Sequence, residues 1–316
     1  MGSAGPPEAR REQHLVNVYE ENRELMERTW ARVLARLDTY PGLLGELGLG
    51  FFDRVGVDYL LDTDAAPLLH LPLWLGRDVH PHAMGDILEG TALSYAYVRI
   101  LDNLVDEPES RGSAALMHVA NALLWDALDL WRPHANARAW AACRDAWLLY
   151  SDRTEAERRA VTGREPYPFA DFVDHAQKCA LAEAPLYLVL SSTGDGRNWE
   201  SVRPLVRELA VSYGLFNDVM GHARDLECGA HTFLVAKART LAGKRGNDAD
   251  VEHILATTSL QERFLDEATA ALDRALPHAE ALDMPNFPVF VDERKARLRQ
   301  VRDGITLLRL VSSLAA

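Results

Sequence analysis

Asp102 and Asp106 stand four residues apart in Tyr97-Val98-Arg99-Ile100-Leu101-Asp102-Asn103-Leu104-Val105-Asp106-Glu107-Pro108-Glu109-Ser110-Arg111-Gly112. On an α-helix, residues four apart share a face, so both carboxylates point the same way. Pro108 disfavours helix at the residue before it, which puts the helix end near Asp106–Glu107. The C-terminal end of a helix repels negative charge, so two carboxylates there call for a cation. Hard oxygen ligands suit Mg²⁺, which takes one or two carboxylates and completes its shell with water and substrate phosphate. Asp-x-x-x-Asp also recurs on solvated helices, so its meaning depends on what else the chain supplies.

A second set of oxygen ligands lies 115 residues on, in Phe216-Asn217-Asp218-Val219-Met220-Gly221-His222-Ala223-Arg224-Asp225. Asn217, Gly221 and Asp225 fall at i, i+4 and i+8, one stripe of a long helix that Gly229 is suited to stop. Mid-helix Asn and Gly cost helix propensity, and their place on the polar stripe invites a functional reason. His222 stands four after Asp218, within reach of pairing with it. Between the two sets comes Lys178, one of only four lysines among 34 basic residues. Its neighbours are largely apolar, and Pro185 lies in the same helical pattern, where it should kink the helix. A lysine so placed either snorkels to solvent or faces an anion.

The elements that must position these residues read as helices throughout. The 316 residues are 48% apolar, enough for a large core, and helical periods dominate. The pattern predicts an all-α chain, a single-domain helical bundle over 14–316 behind a disordered tail at 1–13. Helices are predicted over about His14–Leu37, 41–61 (with Phe51, Phe52, Val55 and Leu60 as core), 82–106, 113–131, 136–151, 169–191 and 200–226. Gly163 and Pro166–Pro168 break a charged stretch at 152–168. Shorter helices follow at 231–241 and 249–257. Ser259-Leu260-Gln261-Glu262 reads as a capping box for a helix that Pro277 interrupts, and the last helix runs from about Phe290 to Ser313.

Charge and cysteine usage narrow the function classes. A formal charge of −13 argues against nucleic acid or an anionic membrane surface as partner. An acidic protein that binds an anionic substrate needs metal ions to mediate the contact. Cys143, Cys179 and Cys228 lack C-x-x-C spacing, which argues against a zinc site or a disulfide framework and suits the cytoplasm. No secretory signal or membrane-spanning apolar run is apparent.

Two acidic helix ends 115 residues apart resemble the class I isoprenoid synthase superfamily, which includes trans-polyprenyl diphosphate synthases and class I terpene synthases. Asp102 to Gly112 is similar to the first aspartate-rich motif of polyprenyl synthases, with Asn103 in place of one aspartate and one arginine missing. Lys178-Cys179-Ala180 is similar to that family's Lys-Thr pair. The second motif looks more like the terpene-synthase Asn-Asp-x-x-Ser-x-x-x-Glu triad, with Gly221 for Ser and Asp225 for Glu. The resemblance spans roughly 85–235. No Gly-Lys-Arg segment precedes the first motif, where residues 45–75 offer only Arg54 and His70 as basic groups. No C-terminal Arg-Tyr pair follows either: residues 290–316 carry Arg294, Arg297, Arg299, Arg302 and Arg309. The chain therefore looks like an atypical branch.

The resemblance implies a helical bundle around a central apolar cavity. It implies Mg²⁺, more than one ion, held with an allylic prenyl diphosphate by Asp102, Asp106, Asn217 and Asp225, with Asp218 and Glu107 as further candidates. Lys178, Arg99, Arg111 and Arg224 would bind the diphosphate. Thr91, Tyr95, Val98, Tyr213 and Phe216 would line the pocket, the aromatic faces attracting a carbocation. The missing acceptor site favours a terpene synthase. A prenyltransferase with a different acceptor is the alternative, supported by Arg111-Gly112 and Lys178. A non-catalytic prenyl-binding relative is the third reading, favoured by Asn103 and Gly221. The resemblance allows a homodimer.

Overall fold

The computed structural model describes residues 7–55, 69–106, 114–163, 168–194, 198–243 and 247–315. All regular structure among these residues is helical, as the periodicity requires. We number the α-helices in chain order: α1 Pro7–Asp38, α2 Leu43–Val55, α3 His70–Leu75, α4 Pro81–Asp106, α5 Ala114–Trp131, α6 Ala137–Gly163, α7 Phe169–His175, α8 Glu183–Thr193, α9 Val202–Glu227, α10 Phe233–Ala242, α11 Asp248–Thr257, α12 Leu260–Ala281 and α13 Phe287–Ala315. Contacts divide the chain into two units, Met1–Ala142 with Ala184–Arg197, and Cys143–Glu183 with Asn198–Ala316.

In the first unit α4 packs along α5 and against α1. Gly90 makes the α4–α5 contact close: a Cβ there would stand 2.4 Å from the Trp131 indole nitrogen. That nitrogen donates to the Ile87 carbonyl at 3.2 Å, so the buried indole is satisfied. Against α1, Glu89 is 1% exposed and pairs with Arg32 and Arg36, each at 2.6 Å. A carboxylate so buried needs both partners, and removing them would cost about 3–5 kcal/mol. Phe51 and Phe52 of α2 are buried as expected; the Val55 side chain and Leu60 lie outside the described residues.

In the second unit α9 packs along α12, and α12 along α13. Among the described residues of this unit, three glutamates are buried. Glu208 pairs with Arg274 at 2.9 Å, Glu183 with Arg203 at 3.1 Å, and Glu262 with Arg309 at 3.0 Å.

Several boundaries differ from the sequence-based expectation. α1 begins at Pro7, ahead of His14, because proline suits the first helical position and Glu-Ala-Arg-Arg-Glu follows with good helix propensity; residues 7–13 are thus helical. α6 does not end near 151 but continues to Gly163. Its charged stretch is laced by Glu155 with Arg158 and Arg159 at 2.7 and 2.8 Å and tied to α7 by Arg153 with Asp174. The expected helix 169–191 is divided. α7 gives way to a 3₁₀ segment, Ala176–Ala182, before α8. Pro185 cannot donate to the turn before it, and that turn tightens.

Ser259 makes no side-chain cap on α12; Glu262 is drawn instead to Arg309 and Thr306. The capping box belongs to α11, where Asn247 and Asp250 exchange bonds of 3.0 and 2.9 Å. Pro277 does not interrupt α12, which runs through it to Ala281.

Candidate functional site

The first acidic motif closes α4. Asp102 is exposed and bonded to Arg99, one turn back, at 3.3 Å. Arg99 therefore serves its own helix's carboxylate. Asp106 is the last residue of α4; its side chain, and Glu107 and Arg111 entirely, lie outside the described residues. Down the helix, Thr91 is buried and its hydroxyl donates to the Ile87 carbonyl at 2.7 Å. Tyr95 and Val98 are half-buried.

The second motif ends α9, and its geometry is set by how that helix stops. Gly229 takes φ 71°, where a side chain would be strained. Its N–H reaches the Leu226 carbonyl at 3.0 Å, and the Ala230 N–H reaches Asp225's at 2.7 Å. These two bonds form a Schellman turn, which throws the chain back so that residues 232–234 face the last turns of α9. There the Thr232 hydroxyl donates to the Asp225 carboxylate at 3.1 Å, and the Leu234 N–H donates to that of Asp218 at 3.0 Å. Gly221 leaves room beside Asp225, whose two carboxylate oxygens lie 3.8 Å from where a Cβ would stand. Asn217 and Arg224 are exposed at the same helix end.

Lys178 stands in the 3₁₀ segment, its Nζ 2.5 Å from Glu157 Oε2 of α6. Burial pushes the Asp218 carboxyl up to about 7. The Leu234 N–H and Lys178 pull it down, while the carboxylates of Asp225 and Glu157 add to the rise. Burial also raises Asp225, opposed by Thr232, Arg224 and His222. Asp218, Asp225, Glu157 and Lys178 thus form one electrostatic cluster at the end of α9. Its acceptors are all oxygens, a donor set that suits a hard cation. Among the described residues no three His, Cys, Asp or Glu side chains gather into a metal site by themselves.

Two residues here were not legible in the sequence. Glu157 falls in the charged stretch expected to be broken. Arg294 is 3% exposed, its guanidinium 4.3 Å from the Tyr213 ring and 4.4 Å from that of Phe216. Both rings read as a shield for a carbocation thus already face a cation. The available signal was Arg294's place on the core stripe of α13, with Phe287, Phe290, Val291 and Leu298. His222 does not pair with Asp218: its Nδ1 bonds the Val219 carbonyl at 2.8 Å, a nearer partner within its own helix.

Solved structures place this arrangement in a known fold. The chain is similar to polyprenyl synthase from Caulobacter crescentus CB15, solved with calcium and isoprenyl diphosphate, with a TM-score of 0.68 and 14% identity over 87% of this chain and 96% of that one. Geranylgeranyl pyrophosphate synthase from Lactobacillus brevis gives 0.67 and 11% over 90% and 96%. An isoprenoid synthase family member from Thermotoga neapolitana gives 0.57 and 13% over 90% and 99%. No family model and no curated protein sequence matches the chain. At these identities it is the fold that is shared: this chain has the all-α isoprenoid synthase fold. No described helix is long and apolar enough to cross a membrane.

Proposed function

We propose that the protein is a class I terpene synthase, ionising an allylic prenyl diphosphate and cyclising or rearranging the cation. The observation that carries this reading is the pair of carboxylates Asp218 and Asp225, held by the Leu234 N–H and the Thr232 hydroxyl at the end of a long helix in the isoprenoid synthase fold, with Lys178 within electrostatic reach of Asp218. Bound Mg²⁺ would neutralise charge developing on the diphosphate leaving group, as a Lewis acid. Asn217 and Asp225 would hold metal, with Asp218 adding to the set, and Asp102 and Asp106 are metal ligands on the same reading.

Lys178 would donate to phosphate oxygens, exchanging Glu157 for the anion as substrate arrives. Arg224, exposed at the end of α9, would close over the diphosphate, as would Arg99 and Arg111. Thr91, with its hydroxyl turned back into its own helix, would offer a methyl to the cavity, and with Tyr95 and Val98 would keep water from the cation.

Prenyl transfer is the second reading. It is favoured by the likeness to a polyprenyl synthase and a geranylgeranyl pyrophosphate synthase, and by a lysine set in a helix break. Incubation with Mg²⁺ and geranyl, farnesyl or geranylgeranyl diphosphate, with and without isopentenyl diphosphate, separates the two. Hydrocarbon or alcohol from one allylic substrate alone supports the synthase. Longer diphosphates that need isopentenyl diphosphate support the transferase.

A further inference from the structure

A groove of about 340 Å³ opens on the second unit, lined by α7, α9, α10 and α12. Its floor is aromatic: Phe233 packs on Phe264 with ring centroids 5.2 Å apart, and on Phe169 at 5.9 Å. Leu241 on its side is 53% exposed, an apolar surface that water must otherwise cover. The mouth carries Lys237 and Arg263, Lys237 leaning over the Phe233 ring at 5.1 Å. Neither cation is in an ion pair with a described residue, whereas Lys178 and Lys295 are paired with Glu157 and Asp273. The one carboxylate on the wall, Glu267, is engaged by Arg274 at 2.9 Å. The mouth is therefore positive in a chain of net charge −13.

The groove is separate from the candidate site. Leu215, on its wall, stands two residues from both Tyr213 and Asn217, about 200° around the helix. Yet the two are joined by a tripeptide. Phe233 lies between Thr232, which donates to Asp225, and Leu234, which donates to Asp218.

We propose that this groove binds a single-chain amphiphile with a phosphate head. The chain lies over Phe233 and Phe264 beside Leu241, and the head sits between Lys237 and Arg263. Two cations free of carboxylate partners match a head that carries about −1.5 to −2 at neutral pH. The volume is that of a small-molecule pocket, at the lower end of the usual range of about 300–1,000 Å³. A protein partner would need a far larger face, about 800 Å² on each side. Binding in the groove does not depend on the proposed reaction.

Calorimetric titration of the full chain with dodecyl phosphate, kept below micelle formation and in EDTA, tests the site. One saturable site is expected, without detectable binding of dodecyltrimethylammonium or inorganic phosphate. Lys237→Glu with Arg263→Glu should weaken binding about tenfold or more, and Leu241→Asp should weaken it independently. Lys178→Ala, which removes the phosphate-binding cation proposed for the candidate site, should leave it unchanged. Undiminished affinity in both groove variants, or loss of binding with Lys178→Ala alone, would place the amphiphile elsewhere and overturn the proposal.

Discussion

Lys178 Nζ lies 2.5 Å from Glu157 Oε2, joining a 3₁₀ segment to α6. If Lys178 meets the substrate's diphosphate, Glu157 holds it in position beforehand. Lys178→Ala is expected to lower diphosphate release about a hundredfold or more, as loss of a positioned charge on a leaving group does. Glu157→Gln keeps an acceptor for Lys178 and should lower kcat/KM about tenfold, mainly through KM. Steady-state kinetics on both variants, with circular dichroism as a check on folding, would show the split. Equal rates for Lys178→Ala and wild type would remove the lysine from the reaction.

On the proposed terpene-synthase reading, Gly221 takes the place of a serine ligand. With Asp225's oxygens 3.8 Å from its missing Cβ, a serine fits in ordinary van der Waals contact. Gly221→Ser is expected to raise stability by about 0.5 kcal/mol from helix propensity. The added hydroxyl should also reduce the Mg²⁺ concentration needed for half-maximal diphosphate release. A thermal melt and a Mg²⁺ titration check the two effects separately. A variant that melts higher but needs as much Mg²⁺ would move the metal away from this stripe.

Asp218 makes stability depend on pH in the metal-free protein. Its carboxyl is pushed up to about 7, from 3.8 in the unfolded chain. Between these values the folded protein holds a proton that the unfolded chain has released. The group's contribution is therefore fully present below about 3.8 and is lost as pH rises through about 7. Asp218→Asn cannot ionise and still offers an oxygen to the Leu234 N–H. Urea unfolding in EDTA at about pH 5.5 and about pH 8 should show wild type losing on the order of 2 kcal/mol relative to this variant. Parallel behaviour at both pH values would contradict the assignment.

Gly90→Ala should destabilise the fold although alanine is the better helix former. The propensity gain is about 1 kcal/mol, but the new Cβ would meet the Trp131 ring nitrogen at 2.4 Å. The indole would have to leave the Ile87 carbonyl, and overpacking of this kind costs about 1–3 kcal/mol on top. A lower urea midpoint is expected; an unchanged one would mean that α5 gives way freely.

The all-helical class and the ends of α4 and α9 were legible because 3.6-residue periodicity, Gly229 and Pro108 are local signals. The second motif's stripe, Asn217 to Asp225, could be read for the same reason. What failed was everything set by partners distant in sequence. α6 runs past 151 because its charges are paired, partly with α7, and that extension places Glu157 against Lys178. Glu262 looked like a capping residue until Arg309, 47 residues on, claimed it. Tyr213 and Phe216 looked free to face a substrate cation because nothing local announces that Arg294 covers them. The division of 169–191 was half visible: Pro185 signalled a break, but not that the break would lie upstream and carry Lys178.

The most direct test of the proposed reaction measures diphosphate release from geranyl, farnesyl and geranylgeranyl diphosphates with Mg²⁺, by wild type, Asp102→Ala and Asp225→Ala, with products extracted for mass spectrometry. The expected result is release with a hydrocarbon or alcohol product from at least one substrate alone, abolished in both variants. Release that persists in both variants, or none by wild type from any allylic diphosphate with or without isopentenyl diphosphate, would contradict it.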